Sequence, residues 1–124
     1  MKAISFGEIL WDIIESKAHI GGAPFNLTAH LAKMGINSYI ISALGDDEYG
    51  HRAMDKVKSL KMNDSYISLL KDYPTGTVDV ELTGAGMPTY IIHENTAWDN
   101  IILSKEQLNE LPAENWDVFC FGTI

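Results

Sequence analysis

Between Gly21 and Gly50 the chain reads GGAPFNLTAHLAKMGINSYIISALGDDEYG, a glycine-opened helix, a strand and a second glycine turn in one short stretch. Two glycines open it, and Pro24 follows where a first helical turn accepts proline. Leu27, Leu31 and Met34 recur at i, i+4 and i+7 and predict one apolar helix face. Gly35 closes that helix, with Lys33 in its last turn. Tyr39 to Ala43 reads as a buried strand. Leu44-Gly45-Asp46-Asp47 then turns the chain into a second helix, with Asp46 or Asp47 as N-cap.

Paired glycines let a ligand approach backbone that a β-carbon would shield. The free N–H groups of a helix start face the same place. Asn26, in the first turn, adds an amide with both a donor and an acceptor, suited to hydroxyls rather than to a bare charge. The plainer reading is a tight turn with ordinary capping. Neither familiar nucleotide loop is present here: no Lys follows a glycine turn, and there is no G-x-G-x-x-G.

The 124 residues make one domain's worth of chain, and 46% hydrophobic with 21% charged residues suits a globular protein. A net charge of −8, with Arg52 the one arginine, argues against a nucleic-acid surface. No apolar run approaches the roughly 20 residues of a membrane helix. The start, MKAISFGE, lacks the apolar stretch of a signal peptide. The single Cys120 cannot form an internal disulfide, which fits a reducing cytoplasm.

Lys2 to Phe6 is a strand candidate. Leu10 to Ile14 continues extended and apolar around one carboxylate, Asp12, which is either an outward-facing side chain or an acceptor for hydroxyls. A helix from about Glu48 to Leu60 places Tyr49, Ala53, Val57 and Leu60 on one face, with Lys56, Lys58 and Lys61 solvated. Tyr66 to Leu70 is a further strand. After the turn Pro74-Thr75-Gly76, Val78, Val80 and Leu82 alternate with polar residues, Thr83 to Pro88 reverses the chain, and Thr89 to His93 returns it as a hairpin. The glycine turn Thr83-Gly84-Ala85-Gly86 has no Asp after it and sits at the hairpin tip, so it carries no catalysis. Ile13, Val78, Val80 and Ile92 are expected on one apolar face. Trp98 reads as packing rather than ligand stacking. Ser104-Lys105-Glu106-Gln107 matches a capping box, opening a helix through Leu111 that Pro112 stops. Trp116 to Gly122 is an apolar run of the kind found in central parallel strands. His19, His30, His51 and His93 have no metal-ligand spacing, and no metal site is expected. Alternating strands and helices imply a parallel sheet covered by helices.

Gly21-Gly22-Ala23-Pro24-x-Asn26, the small Thr28, and then Gly35, Gly45 and Gly50 resemble the N-terminal signature of the ribokinase-like (PfkB-type) carbohydrate kinases. Gly7-Glu8-Ile9-Leu10-Trp11-Asp12 is similar to the opening of their fructokinase branch, and the resemblance covers essentially the whole chain. It implies an α/β fold, the N-terminal part of a ribokinase-like parallel-sheet sandwich spanning 1–124, with a small β-sheet lid built from segments 11–20 and 76–93. It implies a sugar site at Asp12, Gly21, Gly22 and Asn26, covered by Tyr90 and Ile92 of the lid. ATP and Mg²⁺ are the implied cofactors, with their sites and the catalytic Asp expected beyond Ile124; the chain is expected to be the sugar-binding half of a longer enzyme. That enzyme would phosphorylate the primary hydroxyl of fructose or a related sugar, in the cytoplasm, as a homodimer joined through its lid. A non-catalytic sugar-binding or dimerisation module of the same fold and a nucleoside kinase are the alternatives.

Overall fold

The computed structural model describes residues 1–84 and 86–122. Its main sheet has four parallel strands in the order β5-β4-β1-β8, formed by β1 (Lys2–Phe6), β4 (Asn37–Gly45), β5 (Ile67–Leu70) and β8 (Val118–Phe121). Successive residues of a strand face opposite sides, and the two sides carry separate cores. On one, Ile40 and Leu44 meet Phe25 and Ala29 of α1 (Ala23–Lys33) and Ala53 and Val57 of α2 (Glu48–Ser59). On the other, Ile4 and Ile41 meet Tyr66, Trp116 and Leu111 of α3 (Lys105–Ala113).

A second sheet, in the order β3-β2-β6-β7, joins β2 (Leu10–Ile14), β3 (Lys17–Gly21), β6 (Gly76–Leu82) and β7 (Pro88–Ile92). Its strands fall within or beside the segments 11–20 and 76–93 expected to build a lid, and β2 and β6 pair in parallel, with Asp12 opposite Val78. The β2–β3 hairpin turns on Glu15 and Ser16, both at positive φ, as a type I′ turn requires. At the β6–β7 tip, Ala85 lies outside the described residues. Trp98, in a 3₁₀ turn at Ala97–Asn100, packs so closely over Gly76 that a β-carbon there would stand 2.5 Å from Trp98 Cδ1.

Three expectations change. The buried face of α1 is Phe25, Thr28 and Ala29, while Leu27 and Met34 are exposed. Small residues win because the helix lies tight on β1, where Thr28 Oγ1 donates to Pro24 O at 2.7 Å and also meets Ser5 Oγ. Ile13 pairs with Asp79 and packs into the main core, so it stands on the face opposite Val78, Val80 and Ile92. Pro112 does not stop α3 at Leu111: Glu114 N still donates to Glu110 O at 3.2 Å, so the proline forfeits one bond in a last turn its φ already suits. Among the described residues β8 pairs with β1, and Phe119 and Phe121 are exposed.

The Gly-Asp turn is a closed knot of hydrogen bonds. Asp47 caps α2, its Oδ1 accepting from Gly50 N at 2.8 Å and from Thr75 Oγ1 at 2.6 Å. Its Oδ2 accepts from Thr75 N at 2.9 Å, and Gly45 N donates to Thr75 Oγ1 at 2.9 Å. Burial alone would push the Asp47 carboxyl up, but the Thr75 hydroxyl and the Thr75 and Gly50 amides outweigh it and hold it below the usual carboxylate range. Any side chain at Gly50 would collide with Gly45 O.

Candidate functional site

Where the lid meets the start of α1, a cavity of about 420 Å³ opens between Glu8, Leu10, Asp12, Gly22, Ala23, Val78, Tyr90 and Ile92. The register explains the gathering. Asp12 lies opposite Val78, Val78 opposite Ile92, and Val80 opposite Tyr90, so one face of three strands carries a carboxylate and an apolar wall. Trp11, on the reverse face of β2, anchors the strand from behind: its Nε1 donates to Tyr49 O at 3.0 Å, and Arg52 stacks 4.8 Å from its ring.

Burial pushes the Asp12 carboxyl above its ordinary range, and the charge of His19, directly opposite on β3, pulls it partly back. The carboxylate is half-buried and makes no hydrogen bond within the described residues, leaving its lone pairs available to hydroxyl donors. Gly21 ends β3 beside it, where a β-carbon would stand 3.0 Å from Asp12 Oδ2. Gly22 is the N-cap of α1 at φ 108°, and a β-carbon there would lie 2.5 Å from Glu8 O. Only glycine satisfies both the conformation and the approach.

Of the six residues expected at a sugar site, Asp12, Gly22, Tyr90 and Ile92 line the cavity and Gly21 adjoins it. Asn26 is exposed in the first turn of α1, its backbone N donating to Gly22 O at 2.9 Å, and it is not among the lining residues. Sequence reasoning missed Glu8. It is 3% exposed, and its Oε1 accepts the first amide of α1, from Ala23 N at 3.3 Å. Its only signal was a carboxylate flanked by Gly7 and the apolar pair Ile9-Leu10.

Among the described residues no group of three His, Cys, Asp or Glu side chains could hold a metal ion, and the cavity lining includes no lysine or arginine. These residues therefore do not fit Mg²⁺ or a triphosphate. No helix of the described residues is long and apolar enough to cross a membrane.

A fructokinase-2 of Zea mays is 28% identical over 133 residues, covering 98% of this chain and 39% of its own length. The solved fructokinase of Halothermothrix orenii matches with a TM-score of 0.83 at 25% identity, covering 98% of this chain and 46% of that one. An uncharacterized sugar kinase from Pyrococcus horikoshii, solved in complex with ATP, matches with a TM-score of 0.83 at 26% identity, covering 97% of this chain and 42% of that one. The chain thus spans about two fifths of the length of the curated relatives it matches. The family model described as pfkB family carbohydrate kinase matches residues 4–124. With its parallel sheet and four-stranded lid, the chain belongs to the pfkB family of carbohydrate kinases.

Proposed function

We propose that this chain is the sugar-binding part of an ATP-dependent carbohydrate kinase that phosphorylates a primary hydroxyl of fructose or a related small sugar. The observation that carries the reading is Asp12: a half-buried carboxylate on a lid strand, facing a cavity walled by Leu10, Val78, Tyr90 and Ile92, with Glu8 beside the start of α1 that forms its floor. Asp12 accepts hydroxyl protons and fixes the orientation of the sugar. Gly21 and Gly22 admit it close to the backbone, and Asn26 supplies a further amide at the rim. Val78, Tyr90 and Ile92 cover the sugar and keep water away from the transfer. ATP, held with Mg²⁺, supplies the phosphoryl group. A catalytic base, the nucleotide and the metal are assigned to no described residue.

We place the enzyme in the cytoplasm, as its single cysteine fits, and expect two copies to join through the exposed apolar residues of β7, Tyr90, Ile91 and Ile92. Light scattering at about 100 μM, where even weak dimers form, checks the second point, and a clean monomer refutes it. For the activity itself, the full-length protein is incubated with Mg-ATP and a panel of sugars and nucleosides while ADP is followed. ADP formation with fructose or a close sugar is expected. Turnover with a nucleoside in preference to every sugar overturns the substrate reading. The 124-residue chain on its own is expected to bind sugar without transferring phosphate, because phosphoryl transfer needs an electropositive cradle its described residues do not supply.

A further inference from the structure

We infer that Glu8 is a positioning residue for the transfer: from the loop between β1 and β2 it grips the start of α1 and fixes it against the strand that carries Asp12. The inference rests on the reading of the cavity as a sugar floor and names the group that holds that floor in place. The first amides of a helix have no partner within it, and Pro24 has no amide to give. A Ser, Asp or Asn at the N-cap ordinarily answers such amides. Here the N-cap is Gly22, at φ 108°, where a β-carbon would lie 2.5 Å from Glu8 O. The helix therefore cannot cap itself from that position. The acceptor comes from outside, as Glu8 Oε1 takes the Ala23 N–H at 3.3 Å.

The loop and the helix start also touch beside that bond. A β-carbon at Gly7, the residue before Glu8, would stand 2.6 Å from Pro24 Cγ. Glu8 is 3% exposed, and Ile9 and Leu10, which lead on to Asp12, are 0% and 3% exposed. A segment packed this closely does not shift without disturbing its neighbours. The place of Asp12 and the place of the helix start are thus set together. Burying a carboxylate is costly unless it is bonded, and an apolar side chain would fill the same space at less cost. What Glu8 adds is the bond to Ala23 and a negative charge at the positive end of α1. A sugar held between the Asp12 carboxylate and the Gly22 backbone therefore lies in a frame whose width Glu8 fixes. Phosphoryl transfer depends on such a frame, because misplacing a reacting group by about 1 Å costs roughly a hundredfold in rate.

The test compares full-length wild type with Glu8→Ala, Glu8→Asp and Glu8→Gln, by steady-state kinetics with Mg-ATP and fructose and by calorimetric titration of fructose, well below the melting temperatures. Glu8→Ala removes the acceptor, and Glu8→Asp keeps the acid but is one methylene too short to reach Ala23. Both should lower kcat by at least about tenfold. The fructose Kd should rise by less than about threefold, since Asp12 and the apolar wall remain. Glu8→Gln keeps an oxygen at full reach and should recover most of the loss in kcat. A merely structural role would lower the melting temperature and leave kcat per folded molecule unchanged, and that result overturns the inference. Glu8→Asp at the wild-type rate, or Glu8→Gln as slow as Glu8→Ala, overturns it too, because reach would then be irrelevant or charge decisive. Should Glu8→Ala not fold, the contrast between Glu8→Asp and Glu8→Gln carries the same test. Each of these refuting results leaves the sugar floor standing. A wild type that phosphorylates neither fructose nor a related sugar overturns the kinase reading, and this inference with it.

Discussion

Asp46 and Asp47 are neighbours in sequence and should differ sharply in what they contribute. Asp47→Ala strips acceptors from three donors at once: the Gly50 amide that it caps, and the Thr75 amide and hydroxyl. Loss of an N-cap alone costs about 1 kcal/mol. Thr75 is 3% exposed, so its donors would be left without water as well as without a partner. Each such group costs about 1–3 kcal/mol. Because the three bonds share one carboxylate they do not sum, and about 3 kcal/mol is the expected loss. For a chain of this length that lowers the melting temperature by about 12 °C. Asp46 has only an exposed pairing with His51, and Asp46→Ala should cost no more than about 0.5 kcal/mol. Thermal and urea denaturation of both variants measures the difference. The acid range supplies a second reading. The Asp47 carboxyl is held below its unfolded value, so the stability it provides is present above the ordinary carboxylate range near pH ~4. That stability fades as pH falls through the lowered folded value. The gap between wild type and Asp47→Asn should therefore close in acid. Equal losses for the two alanine variants, or a gap independent of pH, would refute this account of the turn.

Gly50→Ala should be worse still, at least ~4 kcal/mol, because the new β-carbon would stand 2.9 Å from Thr75 Oγ1 as well as colliding with Gly45 O. A normal circular-dichroism melt would contradict the packing described. Asp12→Asn should raise the sugar KM or lower kcat/KM by at least about tenfold, ~1.4 kcal/mol, and should not lower folding stability. An acid whose folded pKa is raised costs stability above that pKa, so removing its charge relieves the fold; wild-type kinetics, or a clear loss of stability, would count against the assignment. The lid strand Pro88–Ile92, exposed throughout, should exchange its amides faster than Ile40 to Leu44. Equal protection without sugar would show that the lid opens no more readily than the core.

Local chemistry was easy to read in this chain, and long-range register was not. The Ser104 capping box, the Asp47 cap and the proline-opened α1 each rest on a few adjacent residues, and each formed where its signals stood. The α1 face was misread because hydrophobicity is a poor guide where close approach rules. Thr28 and Ala29 go inward because they are small, and Leu27 and Met34 go out. The β2–β3 turn carries no Asn-Gly or Gly-Gly to mark it; Glu15 and Ser16 adopt positive φ under constraint from the paired strands. The site shows the same division. Asp12 and the glycines were visible as chemistry, whereas the placing of Val78 opposite Asp12, and of Ile13 on the far side, follows from a parallel pairing that no local pattern encodes. Glu8 was hidden for a further reason. A lone glutamate beside a glycine reads as surface until the fold brings the start of α1 against it.

That parallel pairing also bears on synthesis. Asp12 and its partner Val78 are separated by about 66 residues, so the first half of the lid leaves the ribosome well before the strand that completes it. At about 5–20 residues per second the interval is roughly 3–13 s. Throughout it the β2–β3 hairpin can form, since its turn is local, but the edge of β2 that β6 will occupy stays open. An unpaired strand edge templates association with other chains. Slower elongation between the two segments should therefore increase aggregation of the nascent chain, and a chaperone that shields extended segments should relieve it.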